Sequence, residues 1–425
     1  MKRYTEPPLD LLEGRWPQAG PFDSKLLQYV EPIVEDVRRR GDEAVREFTE
    51  RFDGVKVYEL RVQPEEIVEV CSEVTEGQIA ALQELKQRLE VVEERRLNLL
   101  SFRVEIEGVE IENTVRPLSR VGCYVPGGMA DYPSSLVMNV TPAKVAGVRK
   151  VIVCTPPRQD GSPSPLTLVA ADICGVDAVY RVGGAQAVAS MAYGTESIPR
   201  VDKIVGPGNR YVTAAKRVVS NFVAIDKPAG PSEILVLADE TADPRLVALD
   251  LISQAEHGAG GISGLVTTSM ELADGVEEAL NEALAVSPGG REVDKVLFQG
   301  GFIYKAESIE EAVDFVNAYS PEHLEILTDD PRGVSQAIST AGLVLLGPNS
   351  PVSASDYCVG VNHILPTGGH GRVSSGITVL DYLRTMSVVE ATAEGLRGIR
   401  RHVKALSRAE GLPNHALAVE GRFKG

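Results

Sequence analysis

The sequence predicts an α/β fold: two incomplete, Rossmann-like parallel-sheet units with small helical segments at the N- and C-terminal ends. Three observations predict it. Short apolar runs alternate with helical stretches over residues 150–225, the pattern of a parallel sheet covered by helices. The same alternation returns over 234–346. Glycine-rich turns follow the strand-like runs of the first unit. At 425 residues the chain is too long for one ordinary core, which favours two or three domains.

In chain order, residues 1–20 are a mostly polar N-terminal segment. Residues 26–51 and 77–102 carry apolar residues at helical spacing, the second stretch being rich in Glu, Gln, Lys, Arg and Leu. The run Val-Glu-Ile-Glu-Gly-Val-Glu-Ile-Glu within 104–114 predicts a hairpin. Strands are then expected at 150–154, 178–182, 203–205 and 222–225, with helices at 166–174, 185–193 and 211–221 between them. In the second unit strands are expected at 234–238, 264–268, 302–305, 324–328 and 342–346. Helices there begin at Asp243, Met270, Glu310 and Pro331. Asp243-Pro244 supplies an N-cap and then proline at the first helical position. Beyond about residue 378 the chain returns to helix. The expected layout is a segment 1–20, a first α/β domain of 21–122 with 234–377, an inserted α/β unit of 123–233, and a helical tail of 378–425.

Bulk properties narrow the function. A net charge of −17 with no offsetting basic block argues against nucleic acid and anionic membranes as partners. It leaves room for a local positive pocket that takes an anionic cofactor. No apolar stretch is long enough to span a bilayer, and the start of the chain lacks an apolar leader. The five cysteines are widely spaced and form no C-x-x-C pair, which fits a reducing cytoplasm. Their plain role is as small buried hydrophobes. Any metal is then held by nitrogen and oxygen.

Four turns stand out: Val125-Pro126-Gly127-Gly128, Val182-Gly183-Gly184-Ala185-Gln186, Val205-Gly206-Pro207-Gly208-Asn209 and Ala229-Gly230-Pro231-Ser232-Glu233. Ligands of parallel sheets bind where the carboxyl ends of the strands share an edge. Glycine lets backbone N–H groups approach a ligand, and helices starting after Gly184 and Gly208 would aim their N-termini at phosphates. None of the four is a G-x-G-x-x-G fingerprint, and a single such turn often only reverses the chain.

Among the polar residues, Gln254 and His257 lie three apart at the end of a helix, and so on one face. An amide oxygen and an imidazole nitrogen suit zinc, although two ligands do not make a site. Glu322 and His323 sit together at a strand mouth. His323 is suited to moving protons near neutrality and Glu322 to activating water; the pair could equally be a helix-end His with a solvated Glu. Asp356 and His363 lie in 347–376, a stretch long for a structureless connection, and such loops are functional or disordered. A loop Asp is also a common turn residue. Glu410 and His415 lie in the tail, where a His is ordinarily just surface. His370 and His402 read as solvated.

Together these segments closely resemble the histidinol dehydrogenase family. The resemblance rests on VGCYVPGG (121–128), YPSSLVMNVTPAKVAG (132–147), RVGGAQA (181–187), VDKIVGPGNRY (201–211), AGPSEIL (229–235), SQAEHG (253–258), PEHLE (321–325), Asp356-Tyr357, NHILPT (362–367) and EGLPNH (410–415). It implies a zinc-dependent, NAD-linked, four-electron oxidation of L-histidinol through L-histidinal to L-histidine, the final steps of histidine biosynthesis. One Zn2+ per subunit would be held by Gln254, His257, Asp356 and His415. Glu322 and His323 would be the catalytic pair. Ser232, Gln254, His257, His323, Asp356, His363, Glu410 and His415 would meet the substrate, and Tyr124, Gln186 and Asn209 would meet NAD. The resemblance also implies that the inserted unit binds NAD, that the first domain carries most zinc and catalytic residues, and that an intertwined homodimer shares its sites through the tail.

Two stretches depart from the family pattern. Gly258-Ala259-Gly260-Gly261 lacks the polar residues expected after His257, and Ser350–Ser355 lacks a glycine expected before Asp356. Two other readings compete. One is a zinc- and NAD-dependent relative acting on another polar alcohol, such as a sulfonated diol. Glu410 speaks against it, since a carboxylate suits a cationic substrate and a sulfonate would want Arg or Lys. The other is a non-catalytic, zinc-stabilised dimeric binding protein, which the joint presence of Glu322 and His323 disfavours.

Overall fold

A computed structural model describes residues 1–12, 24–127, 131–227, 231–258 and 260–423. Gly128, Ala229, Gly230 and Ala259, part of the turns discussed above, lie outside the described residues. The architecture is the expected α/β type, with two parallel sheets.

The larger sheet has six strands in the order Lys2–Tyr4, Gly301–Lys305, Ile262–Thr267, Glu233–Ala238, His323–Leu327 and Leu343–Leu346, all parallel. Strands Glu233–Ala238 and His323–Leu327 are buried along their whole length, as strands covered on both faces must be. The pleat divides them between two cores. Ile234, Val236 and Ala238 face helices Pro244–Ala255, Met270–Val286 and Gly290–Gly300. Leu235 and Leu237 face helix Ile309–Tyr319 and the rings of Phe302, Tyr304 and Phe315. Asp243 caps its helix as expected, accepting the Arg245 N–H; Ser269 and Ser308 cap helices Met270–Val286 and Ile309–Tyr319.

The smaller parallel sheet runs Ala178–Arg181, Lys150–Thr155, Arg120–Tyr124, Lys203–Val205 and Ala224–Ile225. Its strand order reverses between Arg120–Tyr124 and Lys203–Val205, which makes a topological switch point there. The early helices cover this sheet. Val34, Val37 and Phe48 share one core with Val188, Met191 and Ala215, and Leu85 and Leu89 share another with Leu136 and Val140.

A third, antiparallel sheet runs Leu383–Ala391, Val109–Pro117 and Phe102–Ile106. The last two form the expected hairpin. It turns at Glu107-Gly108, both with positive φ (47° and 80°), as a two-residue hairpin turn requires. The terminal segments are helical as expected, and each also carries a strand. Lys2–Tyr4 is the outer strand of the large sheet, and the tail opens with the nine-residue strand Leu383–Ala391 before helices Ala393–Ala409 and Pro413–Glu420. Thr385, Val388 and Val389 favour extended backbone, and helix waits for the Thr392 cap. Helices Pro133–Val145 and Gly290–Gly300 and strand Arg120–Tyr124 add to the expected elements, and the strand expected at 222–225 shrinks to two residues. Cys123, Cys154 and Cys174 are buried, whereas Cys71 is exposed. Among the described residues no helix is long and apolar enough to cross a membrane.

The sheets present opposite edges to the chemistry-bearing residues. The glycine turns leave the carboxyl ends of the small sheet's strands. Glu233, His323 and the turn after His257 stand at the amino ends of the large sheet's strands.

Candidate functional site

Helix Ile309–Tyr319 stops at Ser320, whose φ of 56° turns the chain, and Pro321 leads it into strand His323–Leu327. Glu322 and His323 are thereby placed at the strand mouth, 5% and 3% exposed. The backbone of one residue, Glu233, holds both. The Glu233 N–H donates to Glu322 Oε2 at 2.8 Å, and His323 Nδ1 lies 3.2 Å from the Glu233 carbonyl oxygen. Burial pushes the Glu322 carboxyl well above its ordinary range, against the pull of the Glu233 N–H. Burial also pushes His323 down to about 4, although the Asp356 carboxylate opposes it.

Asp356 is the hub of the site. It ends the short helix Val352–Ser355, and its carboxylate lies 3.8 Å from His257 Nε2, 4.0 Å from His323 Nε2 and 3.8 Å from His363 Nδ1. Burial alone would raise its pKa; the nearby His257, His323 and His363 outweigh that and leave it lowered. His363 has both ring nitrogens engaged, Nδ1 with the Asp356 carbonyl oxygen at 2.9 Å and Nε2 with Ser135 Oγ at 3.0 Å. A carbonyl only accepts, so Nδ1 carries the proton and Nε2 accepts from the serine. Burial lowers the His363 pKa, which keeps this ring neutral.

Gln254, at the end of helix Pro244–Ala255, is 1% exposed, and neither its amide oxygen nor its nitrogen has a hydrogen-bond partner among the described residues. A buried polar group left unpaired costs about 1–3 kcal/mol, so an orphaned amide marks a place built for something else. His323 Nε2 is likewise buried and unpartnered. Gln254, His257 and Asp356 form an amide, imidazole and carboxylate donor set that fits zinc. Among the described residues no three His, Cys, Asp or Glu side chains form a metal cluster by themselves. Ser232 is half-buried at the mouth of Glu233–Ala238. Glu410 and His415 are exposed on the tail, and among the described residues neither has a hydrogen bond or ion pair to the cluster. The two departures are local: Gly258 and Gly260 turn the chain at φ of 98° and 91°, and Ser355 is buried with its hydroxyl on the Val352 carbonyl.

Below the cluster lies a buried carboxyl pair that the sequence did not announce. Glu325 points to the same side of its strand as His323. One of its oxygens accepts the Val352 N–H, and the Asp250 carboxyl on the Gln254 helix is near enough to interact with it electrostatically. Glu325 Oε2 is buried with no hydrogen-bond partner among the described residues. Burial raises the pKa of both.

On the other side, Tyr124 ends its strand beside the switch point of the small sheet. It is 4% exposed, and its phenol oxygen accepts the Gly184 N–H at 3.2 Å. Gln186 is fully buried with both amide atoms unpartnered among the described residues. Asn209 caps helix Arg210–Val219, its oxygen accepting the Tyr211 and Val212 N–H groups. That leaves its NH2 as a donor. Ser135, Asp250 and Glu325 were not singled out from sequence: each meets a partner distant in the chain.

Similarity to known proteins agrees with this arrangement. The family model described as histidinol dehydrogenase matches residues 19–423. A histidinol dehydrogenase of Methanothermobacter thermautotrophicus is 47% identical over 401 residues, covering 94% of either chain. One from Bacillus cereus is 45% identical over 406 residues, covering 96% of this chain and 94% of its own. The crystal structure of histidinol dehydrogenase from Elizabethkingia anophelis superposes with a TM-score of 0.95 at 36% identity, covering 100% of this chain and 98% of that one. The chain belongs to the histidinol dehydrogenase family, NAD-dependent oxidoreductases that act on an alcohol and an aldehyde.

Proposed function

We propose that the chain oxidises L-histidinol through L-histidinal to L-histidine at the cluster around Asp356. The observation that carries this reading is the pair of neighbours with complementary chemistry: a neutral imidazole with one free nitrogen and a buried carboxyl, both held by the backbone of Glu233.

Gln254, His257 and Asp356, with His415, would hold zinc; the orphaned Gln254 amide supports this assignment. When bound, zinc would fix the substrate's nitrogen atoms and NAD would take up hydride. The rest falls to the chain itself. His323 Nε2 takes the hydroxyl proton of the alcohol. Burial makes the Glu322 carboxylate a stronger base than a free one, and it takes a proton from the water that hydrates the aldehyde. Ser232, His363 and Glu410 would line the substrate. Tyr124, Gln186 and Asn209 would meet NAD at the switch point of the small sheet.

Glu410 and His415 stand exposed in one subunit, so they would complete the site of a partner in an intertwined homodimer. Exposed apolar residues on the tail and its sheet, among them Phe102, Ile106, Val389, Leu406 and Leu417, support such a cover. The division of labour would follow the two sheets: 234–377 for zinc and proton transfer, and 123–233 for NAD, with the helices of 24–97 moving with the latter. A cytoplasmic setting suits the unpaired cysteines.

Steady NADH release per L-histidinol, with and without a zinc chelator, tests the reading. About two NADH per substrate, abolished by the chelator, are expected for a four-electron oxidation. No NADH with histidinol but turnover of another alcohol would overturn it.

A further inference from the structure

The turn Val205-Gly206-Pro207-Gly208-Asn209 lies at the switch point, directly against the strand that ends in Tyr124. A Cβ on Gly206 would stand 2.0 Å from the Tyr124 carbonyl oxygen, and its φ is +112°, so only glycine fits. The peptide groups of this one residue are gripped on both sides by a buried ion pair. Its N–H donates to Asp226 Oδ2 at 2.7 Å, its carbonyl accepts from Lys216 Nζ, and Lys216 and Asp226 meet at 2.6 Å. The two side chains are only 8% and 4% exposed.

The pair also spans three elements. Lys216 lies on the helix that Asn209 caps, and Asp226 follows the edge strand Ala224–Ile225. Helix, edge strand and turn are thus tied at a single glycine. A buried ion pair is a weak source of stability, but loss of one partner leaves an uncompensated buried charge. Nothing in the proton chemistry at the other sheet uses it.

We propose that Lys216 and Asp226 are positioning residues for the dinucleotide, holding the Gly206 turn so that Asn209 and the Arg210–Val219 helix start are presented beside Tyr124. This rests on the reading of that edge as the NAD site. Neither residue touches the reacting atoms; each acts through Gly206.

The test is NADH binding by fluorescence titration, with histidinol KM and zinc content measured alongside, on Asp226→Asn and on the double variant Lys216→Met/Asp226→Asn. The double variant leaves no unpaired buried charge. The expected result is NADH affinity weakened about tenfold or more, with zinc content and histidinol KM close to wild type. A folded variant that binds NADH within about twofold of wild type would overturn the proposal. So would failure of both variants to fold, which would make the pair a folding requirement. If wild-type protein itself binds no NADH, the underlying reading fails instead.

Discussion

His323 reaches the carbonyl oxygen of Glu233 through Nδ1, 3.2 Å away, and that contact decides which nitrogen does chemistry. A carbonyl only accepts, so Nδ1 carries the hydrogen. Burial keeps the ring neutral by lowering its pKa to about 4, which leaves the lone pair on Nε2, facing Asp356. His323→Ala should therefore lower kcat for histidinol about 10²–10⁴-fold while histidinol binding falls far less. Steady-state NADH release and calorimetric titration check this. A kcat within about tenfold of wild type would remove His323 from the proton path.

Glu322→Gln separates two jobs of one side chain. The amide oxygen can still accept the Glu233 N–H, so the strand mouth should keep its shape. It cannot take a proton. Oxidation of supplied histidinal should then fall much further than the first oxidation of histidinol. Equal losses in the two half-reactions would contradict the assigned role.

The Asp250–Glu325 pair predicts a pH dependence of stability. Both pKa values are raised by burial, so the folded chain keeps a proton that the unfolded chain has released by neutral pH. The pair's contribution is therefore full below the ordinary carboxylate range and is lost as pH rises through the raised values. Glu325→Gln removes that titration. Thermal unfolding followed from about pH 5 to about pH 9 should show a shallower decline for the variant than for wild type. Parallel slopes would show that Glu325 does not carry this titration.

Subunit sharing can be tested by complementation. His323→Ala and His415→Ala should each be inactive as pure preparations. Mixed dimers should regain activity at about half of their sites, because one site then carries both changes and the other neither. Purified heterodimers without activity would place His415 in its own subunit's site.

Much of this was legible in the residues, for identifiable reasons. Alternating apolar runs and helix starts such as Asp243-Pro244 are local signals, and they located most elements of both parallel sheets. Gln254 and His257 were legible as a pair because three-residue spacing on a helix fixes their common face. What escaped was non-local. Lys2–Tyr4 is too short and polar to read as a strand, and it becomes one only beside Gly301–Lys305. Leu383–Ala391 is almost wholly exposed, and its partner lies far back, in Val109–Pro117. Ser135 and His363 are joined across more than half of the chain, and no spacing rule connects them. The packing of the early helices on the small sheet likewise depends on which apolar face finds which partner.

The placing of the histidine cluster at one sheet's amino edge and of the glycine turns at the other's carboxyl edge has a further consequence. On the proposed reading, the two things an alcohol must surrender depart in opposite directions: the proton toward Nε2 of His323, the hydride toward the glycine turns. Acid–base character and redox partner are then written in separate stretches of sequence. A lineage could retune its preference for the electron carrier through the Gly206 turn and leave the histidine cluster untouched, or refit the cluster to another alcohol while keeping its carrier.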